Sequence, residues 1–146
     1  MMKIQVVKDA KQILSLLYQF DCVFIHMREK VQNYDLFAKK LAQNALVYLI
    51  QQNEETCGLS VMYANDTDKL TAFITLFGFL PEWQGKHLGK EMIDFCCTEA
   101  KAKGMKSIRL EVDLDNHRAI AFYAHNGFLQ CGTCSPTSMY MEKALV

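Results

Sequence analysis

The sequence predicts an α/β layered domain, because strand-type and helix-type patterns alternate along a chain long enough to bury one hydrophobic core. The chain has 146 residues, of which 51% are hydrophobic and 22% are charged. This composition is typical of a compact folded protein rather than a disordered one. The sequence contains no internal repeat, low-complexity segment or linker, so residues 1–146 are expected to form a single domain.

The first half of the chain predicts a strand, two helical regions and an antiparallel meander. Residues 4–7 form a short β pattern, and Asp9 can cap a helix that runs to about Phe20. Apolar residues at helical spacing indicate that residues 27–44 are also mostly helical. The two β-type runs that follow, separated by polar turns, are residues 45–51 and 57–64.

The second half predicts a covered strand, two helices and further strands. Residues 70–80 are apolar on both alternating faces, which is typical of a central strand. The next helix is expected to bury the stripe Leu88, Met92, Phe95, Cys96 and Ala100. Beyond it, residues 107–112 predict a strand and residues 116–126 a helix. Two β-like pieces, 128–131 and 138–142, are expected on either side of a Gly/Ser/Pro loop.

The charge and hydropathy patterns exclude several classes of protein. Lysine plus arginine total 16 and aspartate plus glutamate total 16, so the formal net charge is zero, whereas nucleic-acid-binding proteins usually carry a basic excess. No apolar run approaches the roughly 18 residues that span a bilayer, and the N-terminus lacks the apolar core of a signal peptide. We therefore expect a cytoplasmic protein that binds neither nucleic acid nor membranes.

The segment after the predicted central strand has the features of an anion-binding turn. The strand ends at Pro81, a glycine-containing turn follows, and an amphipathic helix begins. A helix start offers unpaired backbone N–H groups and the positive end of the helix dipole, which together can hold a phosphate or pyrophosphate. Gly85 and Gly89 let the backbone approach a ligand, and Lys86 and Lys90 add positive charge.

The same turn has three other interpretations. An ordinary strand–turn–helix junction would need no ligand. A Walker loop is disfavoured because no Gly-Lys-Ser/Thr ending occurs. A dinucleotide fingerprint is disfavoured because Gly-x-Gly-x-x-Gly is missing and the element lies in the middle of the chain.

A second motif lies where the predicted strand at residues 107–112 leads into a helix that stops at Gly127. Asn116 can cap this helix through its side chain. Tyr123 shares a helix face with Ala119 and Ile120, so it is expected to point inward. The purely structural interpretation of Tyr123 is a buried tyrosine with a satisfied hydroxyl.

Together, and in this order, the two segments resemble the GNAT N-acetyltransferase superfamily. Residues 84–89, Gln-Gly-Lys-His-Leu-Gly, are similar to its Gln/Arg-x-x-Gly-x-Gly/Ala signature, and residues 116–128 resemble its Asn-x-x-Ala…Tyr-x-x-x-Gly-Phe segment. His87 stands where the first glycine of the family signature usually does. The resemblance implies the GNAT fold: a central, mixed, mostly antiparallel twisted sheet of about six or seven strands, flanked by about four helices.

The resemblance also implies a reaction, with acetyl-CoA as cosubstrate and no metal. Backbone amides of the turn would bind the pyrophosphate, and the main chain of the central strand, around Gly78, would pair with pantetheine like an added strand. Tyr123 would be the general acid that protonates the departing CoA thiolate. The implied cofactor-binding residues are Phe77, Phe79, Gln84, Gly85, Lys86, His87, Leu88, Gly89, Lys90 and Asn116.

The residue that accepts the amine proton stays open. The predicted central strand contains no carboxylate, and a substrate that arrives deprotonated, or a water chain, would also serve. The other candidates are Glu111, Asp113, His117 and His26, each of which also has a surface or structural explanation. Acceptor recognition is expected in the helices over residues 20–44 and in the loop near residues 132–138. Side chains there that could contact an acceptor are His26, Arg28, Tyr34 and Phe37.

Two functions from different classes remain after this comparison. The first is an enzyme that acetylates a primary amine of a small molecule, and the second is an acyl-CoA-binding sensor or partner module without turnover. A redox role for the Cys-x-x-Cys pair Cys131 and Cys134 is weaker, because the pair lies in a β-like tail and not at a helix start. The resemblance also makes a homodimer an expectation.

Overall fold

The structure, a computed structural model, describes residues 2–146. It contains seven strands, five α-helices and one short 3-10 turn, Pro81–Trp83. The strands are β1 (Met2–Val7), β2 (Leu46–Gln52), β3 (Glu55–Tyr63), β4 (Thr71–Phe79), β5 (Ser107–Asp113), β6 (Leu129–Ser135) and β7 (Ser138–Ala144). The helices are α1 (Ala10–Gln19), α2 (Ile25–Lys30), α3 (Tyr34–Asn44), α4 (Gly89–Ala102) and α5 (His117–His125).

All seven strands form one mixed sheet in the order β1-β2-β3-β4-β5-β7-β6. Every neighbouring pair is antiparallel except β4 and β5, which are parallel and are connected through α4. The predicted fold class is therefore confirmed: a mostly antiparallel sheet of seven strands with helices on both faces. A parallel pair needs such a crossover, because a short hairpin cannot join two strands that run the same way.

The sheet separates two hydrophobic clusters. Along β2, Val47 and Leu49 belong to the cluster under α1–α3, whereas Tyr48 belongs to the cluster under α4 and α5. Successive strand residues point to opposite faces, so this alternation places the two helical layers on opposite sides of the sheet. Helix α1 starts as predicted, with the Asp9 carboxylate accepting a hydrogen bond from the Lys11 amide (3.3 Å).

Residues 27–44 are mostly helical, as predicted, but they belong to two helices. The chain is extended at Val31, and Asn33 caps a new helix by accepting from the Leu36 amide (3.0 Å). One sequence-based boundary is wrong. The predicted Gly/Ser/Pro loop is only a two-residue turn, since β6 continues to Ser135, which pairs with Ser138. Two register irregularities in β6 let this strand follow β7 past Gly132.

The buried stripe of α4 is also partly different from the prediction. Leu88 is the residue before the helix, Phe95 is half-buried, and Ile93 is buried in its place. The two remaining turns of the stripe, through Met92, Cys96 and Ala100, are as predicted. Within residues 2–146, no helix combines the length and hydropathy that a membrane crossing would require.

Candidate active site

The centre of the sheet opens where β4 and β5 part. Their parallel pairing covers only Thr71–Ile74 against Ser107–Leu110, so the C-terminal halves of both strands do not pair with each other. A register irregularity between β3 and β4, at Val61/Met62, bends β4 at the same level. Because parallel strands end at the same edge, this opening forms a cleft between the helical layers.

Two cavities meet in this cleft. The first, of about 630 Å³, lies between the open halves of β4 and β5, under α2 and the β6–β7 turn; we call it the strand-side cavity. The second, of about 720 Å³, lies between the end of β4, the turn at residues 83–90 and α5; we call it the loop-side cavity. The residues that line both cavities are Val23, Phe77, Asn116, Ala119 and Tyr123.

The turn predicted as an anion site lines the loop-side cavity. The Gln84 side chain donates a hydrogen bond from Nε2 to the Phe79 carbonyl (3.0 Å), which ties the turn to the end of β4. Gly85 and His87 adopt positive φ angles of 74° and 62°, so the chain folds tightly before α4 begins. Leu88, which precedes α4, provides no side-chain cap, and the first-turn amides are left for another acceptor.

His87 holds a conformation that favours glycine. A φ of 62° lies in the left-handed region, which a non-glycine residue occupies at a cost of roughly 1–2 kcal/mol. His87, whose side chain is exposed, can adopt this conformation because the left-handed region of φ/ψ space is allowed for non-glycine residues, though sparsely populated. The tight turn of the family signature therefore forms without its first glycine.

All the sequence-predicted cofactor residues line the loop-side cavity, but their roles differ. Lys90 forms an ion pair with Asp94 one turn along α4 (2.9 Å), so its charge is partly neutralised. Gly89 packs against α5: a Cβ there would lie 3.0 Å from two carbons of the Phe122 ring. Lys86 lines the cavity directly.

Arg118 was missed by the sequence analysis. It lines the loop-side cavity from the first turn of α5, where a positive charge opposes the helix dipole. The ion pairs formed within residues 2–146 do not include Arg118. The available signal in the sequence was a cation at a helix start, where it opposes the dipole and where a neighbouring anion would stabilise it.

Tyr123 lies at the junction of the two cavities, with 9% of its surface exposed. Its ring packs edge-on against Phe77 (6.0 Å between ring centroids), Phe122 (5.3 Å) and Phe128 (5.6 Å). Desolvation, and secondarily the nearby Cys96 thiol, raise the pKa of Tyr123 above its ordinary value. The phenol is therefore held in its protonated form.

The Tyr123 hydroxyl reaches open space. Within residues 2–146 the hydroxyl has no hydrogen-bond partner. It is not fully buried either, because the one fully buried side-chain polar atom without a partner in these residues is Oε1 of Gln52. The hydroxyl is thus accessible from the cavities. This differs from the structural interpretation, in which a protein group would satisfy a buried tyrosine. Asn116, beside it, caps α5 as predicted by accepting from the Ala119 amide (3.2 Å).

Three of the four base candidates line the strand-side cavity. The Glu111 carboxylate accepts a hydrogen bond from the buried Ser138 hydroxyl (2.6 Å). The Asp113 carboxylate contacts Nε2 of His26, which reaches it from α2 (2.5 Å). His117 is exposed at the start of α5 and lines neither cavity.

Of the four residues on the first helices that were expected to contact an acceptor, two line the strand-side cavity and two do not. His26 and Phe37 line the strand-side cavity, whereas Arg28 and Tyr34 do not. The ring of Tyr34 packs instead against Tyr18, with the ring centroids 4.8 Å apart. The turn between β6 and β7 contributes to the lining as expected, through Thr137 and its flanking serines.

The chain matches the model of the Acetyltransferase (GNAT) family over residues 11–128. A curated relative, the mycothiol acetyltransferase of Beutenbergia cavernae, is 31% identical over 84 residues, which cover 58% of this chain and 28% of that protein. This chain therefore spans less than a third of that relative's length.

Two solved structures show the same fold at low identity. The ribosomal-protein-S18-alanine N-acetyltransferase of Escherichia coli superposes with a TM-score of 0.76 at 19% identity, covering 99% of this chain and 94% of that one. The PaiA N-acetyltransferase of Thermoplasma acidophilum, solved in complex with coenzyme A, gives 0.75 at 18% identity and 99% coverage of both chains. With the family model matched over residues 11–128, the chain belongs to the Acetyltransferase (GNAT) family.

Proposed function

We propose that residues 1–146 act as a single acetyltransferase domain that transfers an acetyl group from acetyl-CoA to a primary amine of a small molecule, with Tyr123 as general acid. The observation that carries the proposal is the position of the Tyr123 hydroxyl, unpartnered and open at the junction of the two cavities. A donor in the loop-side cavity and an acceptor in the strand-side cavity would meet at this hydroxyl.

The loop-side cavity suits coenzyme A. Its uncapped α4 start offers backbone N–H donors and the positive dipole end to a pyrophosphate, and Lys86 and Arg118 add charge. The half of β4 that β5 leaves unpaired offers main-chain groups to pantetheine, although the Phe79 carbonyl already accepts from Gln84. When bound, acetyl-CoA supplies the activated acyl group as a thioester.

Tyr123 can protonate the leaving sulfur despite its raised pKa. A thiolate released in an apolar site is a much stronger base than in water. Burial raises the pKa of the Cys96 thiol, in the same hydrophobic cluster, to about 12. A CoA thiolate formed beside Tyr123 would gain basicity for the same reason, so proton transfer from the phenol becomes feasible.

The strand-side cavity supports a small acceptor. The names of the relatives, a mycothiol acetyltransferase and a ribosomal-protein-S18-alanine N-acetyltransferase, point to unlike substrates, so only the cavity of this chain bears on its own acceptor. A volume of about 630 Å³ lies within the range of small-molecule sites. Phe37 and Met27 give it apolar walls, and the carboxylates of Glu111 and Asp113 suit an amine.

The experiment compares Tyr123→Phe with wild type in acetyl-CoA consumption over a panel of amines, amino acids, polyamines, aminoglycosides and peptides. Released CoA is measured by chromatography, because the exposed thiols of Cys22 and Cys131 would react with a thiol reagent. We expect turnover to fall ten-fold or more, because a general acid usually contributes about 10²- to 10⁴-fold to the rate. CoA affinity should change little, because only a hydroxyl is removed.

Tyr48→Phe is the matched control, since Tyr48 is also buried and has a raised pKa but lines neither cavity. Equal turnover of Tyr123→Phe and wild type would exclude the general-acid role. Tight CoA binding without CoA release from any acceptor would favour the alternative function, a non-catalytic acyl-CoA sensor.

A further inference from the structure

The pair formed by His26 and Asp113 joins two elements that are distant in the sequence. His26 is the second residue of α2 and Asp113 the last residue of β5, 87 positions apart. Nε2 of His26 lies 2.5 Å from Oδ2 of Asp113, and both side chains line the strand-side cavity. The contact therefore spans the open end of the cleft, on the acceptor side of Tyr123.

The contact with Asp113 determines which ring nitrogen of His26 carries the proton and which can accept one. A neutral imidazole has one N–H donor and one acceptor nitrogen, and a carboxylate can only accept. Nε2 must therefore carry the proton that Asp113 accepts, and Nδ1 is left with an unshared electron pair. A carboxylate that holds a histidine in one tautomer, with the other nitrogen available to take a proton, is the arrangement of a general base.

We propose that His26 is the general base that deprotonates the acceptor amine and that Asp113 positions it; this inference rests on the proposed acetyl transfer. Nδ1 of His26 takes one proton from the acceptor ammonium, which becomes a neutral amine. The amine nitrogen then forms a bond to the thioester carbonyl carbon. As the carbon–sulfur bond breaks, the sulfur leaves with the electron pair and receives the Tyr123 proton.

The protons of the proposed reaction balance. The acceptor nitrogen loses a second proton to solvent after attack, and the Tyr123 phenolate takes one from solvent, so these two cancel. The proton on His26 also passes to solvent before the next turnover. The net change is one ammonium and one thioester converted to one amide, one thiol and one released proton.

The other titratable groups around His26 are few. From α2 the cavity is lined by His26 and Lys30, from β5 by Glu111 and Asp113, and from α5 by Tyr123. The linings from α3, β4 and the β6–β7 turn contain no charged residue. Glu111 is the rival base, but one of its oxygens already accepts from Ser138, whereas Nδ1 of His26 has no partner within residues 2–146.

The first test uses the acceptor with the highest turnover in the panel. We expect His26→Gln to lower kcat/KM by about 10²-fold, the lower end of what a general base contributes. The acidic limb of its pH–rate profile should disappear, and CoA affinity should be unchanged. His26→Ala should regain activity with added imidazole, which a structural defect would not allow. His117→Gln, outside both cavities, is the matched control.

The second test needs no turnover. Nitrogen NMR of the free protein should place the proton of the neutral form of the His26 imidazole on Nε2, and Asp113→Asn should change this tautomer ratio. The proposal is overturned if His26→Gln keeps the wild-type pH profile, or if Glu111→Gln and not His26→Gln removes the acidic limb. If no amine is acetylated by the wild-type protein, the proposed function itself fails, whatever the tautomer of His26.

Discussion

The packing around Gly78 predicts whether an alanine at this position stabilises or destabilises the protein. Gly78 lies in β4 beneath the segment between α1 and α2. A Cβ at this position would be 2.8 Å from Cγ1 of Val23 and 2.9 Å from Cε1 of Phe24. Both distances are shorter than real Cβ contacts, so Gly78→Ala forces either the two side chains or the backbone to move.

Two opposing contributions set the size of the effect. Alanine is favoured over glycine inside a strand by roughly 0.5–1 kcal/mol, because it has less conformational entropy to lose. Overpacking a well-filled site costs roughly 1–3 kcal/mol. The clash should be costly here, because Phe24 is buried and stacked on Phe20 (5.9 Å between ring centroids) and cannot rotate away. We therefore expect a net loss of about 1 kcal/mol of unfolding free energy.

The assay is thermal and urea unfolding of Gly78→Ala, Val23→Ala and the double variant. For a chain of this length, 1 kcal/mol corresponds to a fall in Tm of about 2–4 °C. Val23→Ala removes the nearest clashing methyl, so the double variant should be more stable than the two single effects predict. A rise in the Tm of Gly78→Ala would refute the reasoning, since it would mean that the strand preference outweighs the contact.

The other predictions concern His87 and Cys96. His87→Val should lower the free energy of unfolding by about 1–2 kcal/mol while His87→Gly does not, because a β-branched residue fits the left-handed φ of 62° poorly; equal stability of both variants in urea would contradict this. Burial raises the pKa of Cys96 from 9.0 to about 12, so the stability that the neutral thiol provides is complete below pH 9 and lost as the pH rises towards 12. Cys96→Ala should therefore flatten the fall of unfolding free energy in this window by up to about 1.4 kcal/mol per pH unit. Equal slopes for Cys96→Ala and wild type between pH 9 and 12 would contradict this.

The loop-side cavity was predictable from the sequence because its parts are local. A turn, a helix start and the glycines between them are set by residues that are neighbours in the chain, so Gln84–Gly89 line the cavity as a group. Tyr123 was placed inward by helical periodicity alone, since residues three and four positions apart share a helix face. The same i,i+4 spacing also allows Lys90, which was predicted to bind the cofactor, to form its ion pair with Asp94.

The strand-side cavity was less predictable because it depends on distant contacts. No local pattern brings His26 to Asp113, since their meeting requires the parallel β4–β5 pair to open and α2 to lie across it. The break at Val31, which ends α2 and lets α3 take another direction, was hidden by an apolar spacing that fits one helix or two. Four base candidates therefore looked alike in the sequence, and only the cavity separates His117 from the other three.

The parting of β4 and β5 connects these features. If the pairing continued in the same register to the strand ends, Leu76 would lie opposite Val112 and Phe77 opposite Asp113, and the gap would be closed. Because pairing stops at Ile74 and Leu110, one side of the gap opens to the α4 turn and the other to α2. The aromatic ring of Tyr123 is then held by its neighbours on α5 and β4 while its hydroxyl stays free. The position of the Tyr123 hydroxyl, between the loop-side cavity and the carboxylate-lined strand-side cavity, is thus a consequence of one interrupted strand pair.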